Sequence, residues 1–288
     1  MARKLGILAG GGDLPAQLIN ACRETGRDFF VIAFEGFAEK SMVEGVPHVW
    51  LRLGEAGSGF KILHDQGVED VVMAGPVRRP SLRDLRPDWQ TTRFLARIGM
   101  SALGDDGLLR AVIRELEDEG FRVVGIDDVL SDILARPGLY GSIEPDEQAR
   151  VDIARGLEVA RGLGRLDVGQ SVVVQQGIVL AVEAVEGTDA MIARAGEQRR
   201  PGPGGVLVKT CKPGQERRAD LPTVGPRTVQ NAIRAGLRGI AIEAGSTLMV
   251  GTETMVAEAD AAGLFLIGIE SMSGLPSAPG RSDTPGAS

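Results

Sequence analysis

The chain has 288 residues, 43% of them apolar and 4% aromatic, with 40 glycines and a formal net charge of −7. That length and apolar share give one large or two ordinary globular domains, and many glycines with few aromatics suit tight strand-to-helix turns over aliphatic cores. An acidic balance with its basic residues dispersed excludes a continuous nucleic-acid surface, no apolar run reaches the roughly 18 residues of a membrane span, and Cys22 and Cys211 form neither a disulfide framework nor a CxxC metal site, so a cytoplasmic setting fits best.

Arg3 and Lys4 ahead of LGILAGGG mimic the start of a signal peptide, but the apolar run is short and lacks a small-residue cleavage site. Short apolar runs then alternate with amphipathic stretches. KLGILAG at 4–10, FFVIAF at 29–34, HVWLRL at 48–53, VEDVVMAG at 68–75 and FRVVGI at 121–126 read as strands of a mostly parallel sheet. Helical patterns fall at 14–25, at 55–66 and along DGLLRAVIRELEDEG, where Leu108, Leu109, Val112, Ile113 and Leu116 share a face. This alternation predicts a Rossmann-like, doubly wound domain over 1–135.

Near Arg136 the texture changes to PGLYGSIEP, rich in turn formers, followed by the helix-like DEQARVDIARGLEVARGLG. SVVVQQGIVLAVEAVEG reads as a β-hairpin turning at Gln175, Gln176 and Gly177. Helices near 188–198, 227–235 and 253–262 and strands at 206–210, GIAIEAG and LFLIGIE complete a second, mixed-sheet α/β domain over 136–272. The remaining 273–288 is Gly, Pro, Ser and Thr with almost no large apolar side chain, and is expected to be disordered.

Three features carry chemistry. Gly10, Gly11 and Gly12 follow the first strand and open a helix at Asp13, so backbone N–H groups can face a phosphate, although Pro15 stands where a dinucleotide fingerprint has its third glycine. The equally simple reading is a turn that lets strand and helix pack closely. The stretch KTCKPGQERRADLPTVG sets Lys209, Lys212, Arg217 and Arg218 beside Glu216 and Asp220 on a Pro-bounded connection too long for a simple turn. Cations beside carboxylates suit a phosphate ester with its metal ion, whereas the bland reading is a solvated loop. Carboxylates also cluster at strand ends, at Glu183, Glu186, Asp189 and Glu243, and at the Asp105 and Asp106 pair that opens a helix, where at least one is expected to cap. The RExEDEG run fails the Nudix spacing and reads as a solvated helix face. Two histidines, His48 and His64, are too few for a calcineurin-like dimetal centre, and no GxSxG is present for a serine hydrolase.

Taken in order, GILAGGGDLP, AGPVRRPSL, GDDGLLRAV, VVQQGIVLAVEAVEGTDAMI, KPGQERRADLPTVGPRTV and GIAIEAG make the chain resemble, over nearly its whole length, the LpxI family of UDP-2,3-diacylglucosamine pyrophosphatases of lipid A biosynthesis. The resemblance implies Mg²⁺-dependent hydrolysis of the substrate to UMP and 2,3-diacylglucosamine 1-phosphate (lipid X), with water attack on the β-phosphorus. It also implies a homodimer of two-domain chains with substrate between the domains, and, through the acyl chains, peripheral contact with the inner membrane. Carried onto this sequence, it places the UDP part on Gly10, Gly11, Gly12 and Asp13, bordered by Arg79, Asp105 and Asp106. It gives catalytic roles to Asp220, Lys212, Glu216 and Arg218, with Asp220 and Glu216 as metal ligands. Substrate contacts fall to Lys209, Gln215, Gln175, Gln176, Gly187, Thr188 and Asp189, with Glu183 and Glu186 beside them. At Glu216 the chain departs from the family it resembles, in which Asp is commoner, keeping the carboxylate and changing its reach.

Two other readings stay open on residues alone. A nicotinamide-dependent oxidoreductase would use the first domain and leave the cationic loop without a purpose. A carrier of a nucleotide or acylated sugar would bind without turnover and tolerate loss of Asp220.

Overall fold

The computed structural model describes residues 2–77, 87–98 and 105–270. Its first half is a five-stranded parallel sheet in the order β3-β2-β1-β4-β5, formed by β1 (Leu5–Ala9), β2 (Phe29–Phe34), β3 (His48–Leu51), β4 (Asp70–Ala74) and β5 (Arg122–Val123). The order reverses between β1 and β4, which is the doubly wound arrangement expected from the alternating pattern. α1 (Leu14–Thr25) covers one face through Leu14, Leu18, Ile19 and Cys22. α2 (Ala56–Asp65) and α4 (Asp105–Asp118) cover the other through Leu63, Ile113 and Leu116.

The second half is a six-stranded mixed sheet, β6-β13-β11-β9-β7-β8. Its strands are β6 (Gly138–Leu139), β7 (Ser171–Gln175), β8 (Ile178–Val182), β9 (Val206–Lys209), β11 (Gly239–Glu243) and β13 (Phe265–Ile269). β9, β11 and β13 run parallel, whereas β7 is antiparallel to both of its neighbours, as the hairpin pattern predicts. α5 (Glu147–Arg165) packs on one face. α6 (Gly187–Glu197), α7 (Pro226–Arg234) and α8 (Thr252–Ala261) contribute Met191, Ile192, Val229, Ala232, Met255 and Ala259 to the other. α5 begins where Asp146 accepts the Ala149 N–H at 2.8 Å, a side-chain cap. It lies so close to β9 that a Cβ on Gly156 would meet Val208 Cγ2 at 2.4 Å.

Several elements depart from the sequence pattern. The strand expected over 121–126 is confined to β5, because the Gly125 N–H turns away to Asp128 Oδ2 at 2.9 Å. α3 (Trp89–Ile98) is a helix outside those expected from the sequence, although Phe94, Leu95 and Ile98 have the spacing of one helical face; Asp88 Oδ1 accepts the Thr91 N–H at 2.7 Å and starts it. β10 (Thr223–Val224) and β12 (Leu248–Met249) form a two-residue parallel pair, too short for any periodicity to reveal. The carboxylate run of α4 is only partly solvated: Glu117 pairs with Arg218 at 2.6 Å and Glu115 with Arg97. The 273–288 tail lies outside the described residues.

The second half reaches back onto the first through the 210–222 loop. Leu221, with Leu248 and Val250, joins the core cluster that contains Ala9 and Leu14, while Ala219 packs against the cluster of Ile113 and Leu116 on the opposite face. Asp220 therefore sits where the loop crosses from the α4 side of the first sheet to its α1 side.

Candidate functional site at the carboxyl edge of the second sheet

β8, β9 and β11 all point the same way, and each ends in an ionisable residue: Glu183 just beyond β8, Lys209 at the end of β9 and Glu243 at the end of β11. Carboxyl ends of strands are where α/β sheets form their binding crevices. All three side chains are nearly buried, at 7%, 5% and 6% exposure. Lys209 Nζ donates to Thr188 Oγ1 at 2.8 Å, and Thr188 donates in turn to Glu183 Oε1 at 2.6 Å. Burial pushes the Lys209 ammonium below its ordinary pKa, against the opposing charge of Glu183, Asp189 and Asp220. Glu243 accepts from the Cys211 N–H at 2.9 Å and from Arg161 at 3.5 Å, which fixes the point where the charged loop leaves the sheet.

Within that loop Gln215 is the organiser. Its Oε1 accepts from the Lys212 N–H at 2.9 Å and from Cys211 Sγ at 3.2 Å, and its Nε2 donates to Asp220 Oδ2 at 2.7 Å. Burial pushes the Cys211 thiol up to about 11. Asp220 Oδ1 accepts no hydrogen bond among the described residues. Lys212 Nζ pairs with Asp167 at 2.8 Å. Arg218 forks onto Glu216, at 2.9 Å to Oε1 and 3.1 Å to Oε2, and this bond above all holds the Glu216 carboxyl below its ordinary range. The same guanidinium reaches Glu117 on α4, and Arg110 of α4 donates to the Gly214 carbonyl at 2.5 Å, so the loop is tied to both halves of the chain.

The glycine turn of the first sheet is built differently. Gly10 and Gly11 donate their N–H groups to the carbonyls of Ala74 and Pro76, at 2.8 and 3.1 Å. A Cβ on Gly10 would lie 2.6 Å from the Gly75 carbonyl, so close packing of two strand ends is what demands glycine there. Those two amides are used within the chain, so the phosphate contacts expected of Gly10 and Gly11 through their N–H groups are not available in this arrangement. Asp13 stands at the N-cap without forming a side-chain cap bond.

Gln175 and Gln176 do not join the cluster. β7 pairs Ser171 with Lys209 and Val174 with Val206, so the hairpin turn lies at the other end of the strand, roughly 13 Å away at the usual rise per residue. Gln175 is fully buried and bonded to the backbone of Arg200 and Pro203. Gln176, at φ 52°, donates its N–H to Asp152. Gly187, at φ 80°, opens α6 and presents Thr188 to Lys209, while Asp189 is paired with Arg227 and Asn231. Asp105 and Asp106 form the first turn of α4, and Arg79 lies outside the described residues. Sequence reading missed Asp167, Arg161 and Arg110, partners that come from distant segments. Asp167 has one local sign, a φ of 53° that Asp tolerates better than most residues.

The donor set discriminates between the two expected Mg²⁺ ligands. Asp220 fits, because Gln215 holds one carboxylate oxygen and the other has no hydrogen-bond partner among the described residues. Glu216 does not fit as arranged, because Arg218 engages both of its oxygens. No group of three or more His, Cys, Asp or Glu converges on a metal position among the described residues. Mg²⁺ commonly takes one or two carboxylates and completes its shell with substrate phosphate and water, so a single carboxylate is compatible with a substrate-dependent site.

Fold and site together define a two-sheet α/β protein whose second sheet carries a buried lysine and partnered carboxylates at its carboxyl edge. The family model described as the LpxI N-terminal domain matches residues 4–133, and that of the LpxI C-terminal domain matches 136–267. A curated relative, the UDP-2,3-diacylglucosamine pyrophosphatase LpxI of Caulobacter vibrioides, is 43% identical over 278 residues, covering 93% of this chain and 98% of its own. The chain belongs to the LpxI family. Among solved structures, the Bordetella bronchiseptica enzyme WbmG in complex with NAD and UDP is 13% identical, with a TM-score of 0.35, over 95% of this chain and 84% of that one. The biotin carboxylase domain of Hydrogenobacter thermophilus 2-oxoglutarate carboxylase is also 13% identical, with a TM-score of 0.25, over 62% and 36%. Likenesses this weak define no shared site.

Proposed function

We propose that this chain hydrolyses the pyrophosphate bond of UDP-2,3-diacylglucosamine to UMP and 2,3-diacylglucosamine 1-phosphate. The part over 1–135 binds the nucleotide, and the part over 136–272 carries the catalytic loop. Family membership supports the substrate. The observation that carries the chemistry is Asp220, steadied at one oxygen by the buried Gln215 and within electrostatic reach of the buried Lys209.

Asp220 is the residue that would hold Mg²⁺ together with the diphosphate, and the ion would supply Lewis-acid neutralisation of the phosphate charge. The protein's own contribution is placement. Lys209 and Lys212 oppose negative charge that grows on the leaving phosphate, and Gln215 keeps the Asp220 carboxylate in one orientation. Arg218 either stays on Glu216 or turns its fork to a phosphate oxygen, and Glu216 shapes the site through Arg218. Attack at the β-phosphorus leaves UMP as the departing group and puts the oxygen of water into the sugar phosphate.

The reaction is tested by UMP release from UDP-2,3-diacylglucosamine, with Mg²⁺ and with EDTA, in H₂¹⁸O. The expected result is metal-dependent release with ¹⁸O in the sugar phosphate. Label in UMP would move the attack to the α-phosphorus, and no release with any divalent cation would reject the activity. Peripheral membrane contact follows from the two acyl chains of this substrate. Homodimer formation, which the family resemblance implies, is checked by sedimentation.

A further inference from the structure

Lys209 ends a central strand of the second sheet, paired with Ser171 on β7 and flanked by Ile242 on β11, and only 5% of it is exposed. A buried ammonium ordinarily takes a carboxylate as its direct partner, because desolvation is costly without one. Here, among the described residues, no carboxylate lies within ion-pair distance of Lys209. Its hydrogen bond goes to Thr188 Oγ1 at 2.8 Å. The Thr188 hydroxyl has one proton, and that proton is directed to Glu183 Oε1 at 2.6 Å. Glu183 is steadied in turn by the Gln170 N–H, at 3.3 Å from Oε2. The chain of bonds fixes polarity: Glu183 makes Thr188 an acceptor toward Lys209, and of the ammonium's three N–H donors only this one has an acceptor among the described residues.

We propose that Glu183 and Thr188 are positioning residues that hold Lys209 as a fixed, incompletely neutralised cation for a phosphate oxygen of the substrate. This assignment rests on the pyrophosphatase reading and gives Thr188 a role behind Lys209 in place of direct substrate contact. The geometry explains why the carboxylate is set one residue back. A direct Glu183–Lys209 pair would cancel the cation, whereas a hydroxyl relay orients it and leaves its charge available. Glu183, Asp189 and Asp220 are the acidic groups that face Lys209, and all three favour its protonated form against burial.

The test uses the full chain as wild type, Thr188→Val, Thr188→Ser and Glu183→Gln, with kcat, KM and the pH profile of UMP release from UDP-2,3-diacylglucosamine. Thr188→Val is expected to lower kcat at least about tenfold, short of the roughly 10²–10³ that removal of a direct donor costs. The alkaline limb of its profile should move to lower pH, since the charged form of Lys209 loses its acceptor. Glu183→Gln should move the limb the same way, and Thr188→Ser should recover most of the loss. Wild-type kcat and an unmoved limb in Thr188→Val would overturn the proposal. If that variant fails to fold, Glu183→Gln carries the same two readouts. NMR titration of the Lys209 ¹³Cε signal needs no turnover, so it separates this proposal from the reaction itself. A lower Lys209 pKa in Thr188→Val or Glu183→Gln supports the relay even without UMP release, and an unchanged one rejects it.

Discussion

Asp70 and Lys209 are both buried ions at the ends of parallel strands, but Asp70 begins β4 whereas Lys209 ends β9. Asp70 is 1% exposed and surrounded by arginines: Arg122 donates from Nε at 2.8 Å and from a terminal nitrogen at 2.7 Å, and Arg27 adds a bond at 2.7 Å. Burial alone would raise its pKa, and Arg122, Arg27 and Arg3 outweigh that effect and hold the carboxyl below its ordinary value. Those partners come from β5, the end of α1 and the chain start, so the cluster stitches together the amino edge of the first sheet. Among the described residues Lys209 meets a hydroxyl, with carboxylates nearby but none within ion-pair distance. A charge fully answered by its own chain is architecture. A charge held in place but left partly unanswered is prepared for a ligand, and it lies at the edge where such folds bind one.

That contrast can be broken most severely at Asp220. Asp220→Ala should lower kcat by about 10³-fold or more with little change in melting temperature, because the residue lies in a loop and accepts one side-chain bond. Asp70→Asn should do the reverse, costing about 2–3 kcal/mol in denaturant unfolding through the loss of charge-assisted bonds, with activity per folded molecule unchanged. Its pH dependence sharpens the point. The folded pKa of Asp70 is depressed, so its contribution is complete above the ordinary carboxylate value of 3.8 and disappears as pH falls through the lower folded value. Asp70→Asn should therefore flatten the acid limb of the stability curve. For Lys209 the folded state binds its proton less tightly than the unfolded one, so stability should rise with pH between the lowered value and 10.5. That rise should be missing in Lys209→Met. The smallest effect concerns packing: Gly156→Ala pushes a methyl against Val208 and should cost about 1–3 kcal/mol, measured by thermal unfolding.

Much of this architecture was legible in the sequence because burial leaves a periodic record. β1, β2 and the Val71–Ala74 stretch of β4 are continuous apolar runs, and α5 repeats its apolar residues on one face, so both sheets and most of their covering helices followed from pattern. α3 carries its apolar residues Phe94, Leu95 and Ile98 at the spacing of one short face among polar neighbours, and the β10–β12 pair is two residues long, so neither was read from pattern. The site was legible as an inventory of charges and illegible as a set of pairings. Lys212 meets Asp167 across 45 residues and Arg218 meets Glu117 across 101, separations that no local window spans. Gln175 and Gln176 illustrate the opposite case, neighbours in sequence that the fold separates. They are polar residues in a run that also supplies Glu183 and Thr188, yet a hairpin sends its turn to one end of the sheet and its termini to the other.

The role of Asp220 is tested by measuring, on one preparation of Asp220→Ala, both the equilibrium binding of UDP-2,3-diacylglucosamine and the rate of UMP release beside wild type. Binding within a few-fold of wild type and a turnover lower by about 10³, in a protein with unaltered melting, are expected. Wild-type turnover in that variant would contradict that role and remove Asp220 from the chemistry.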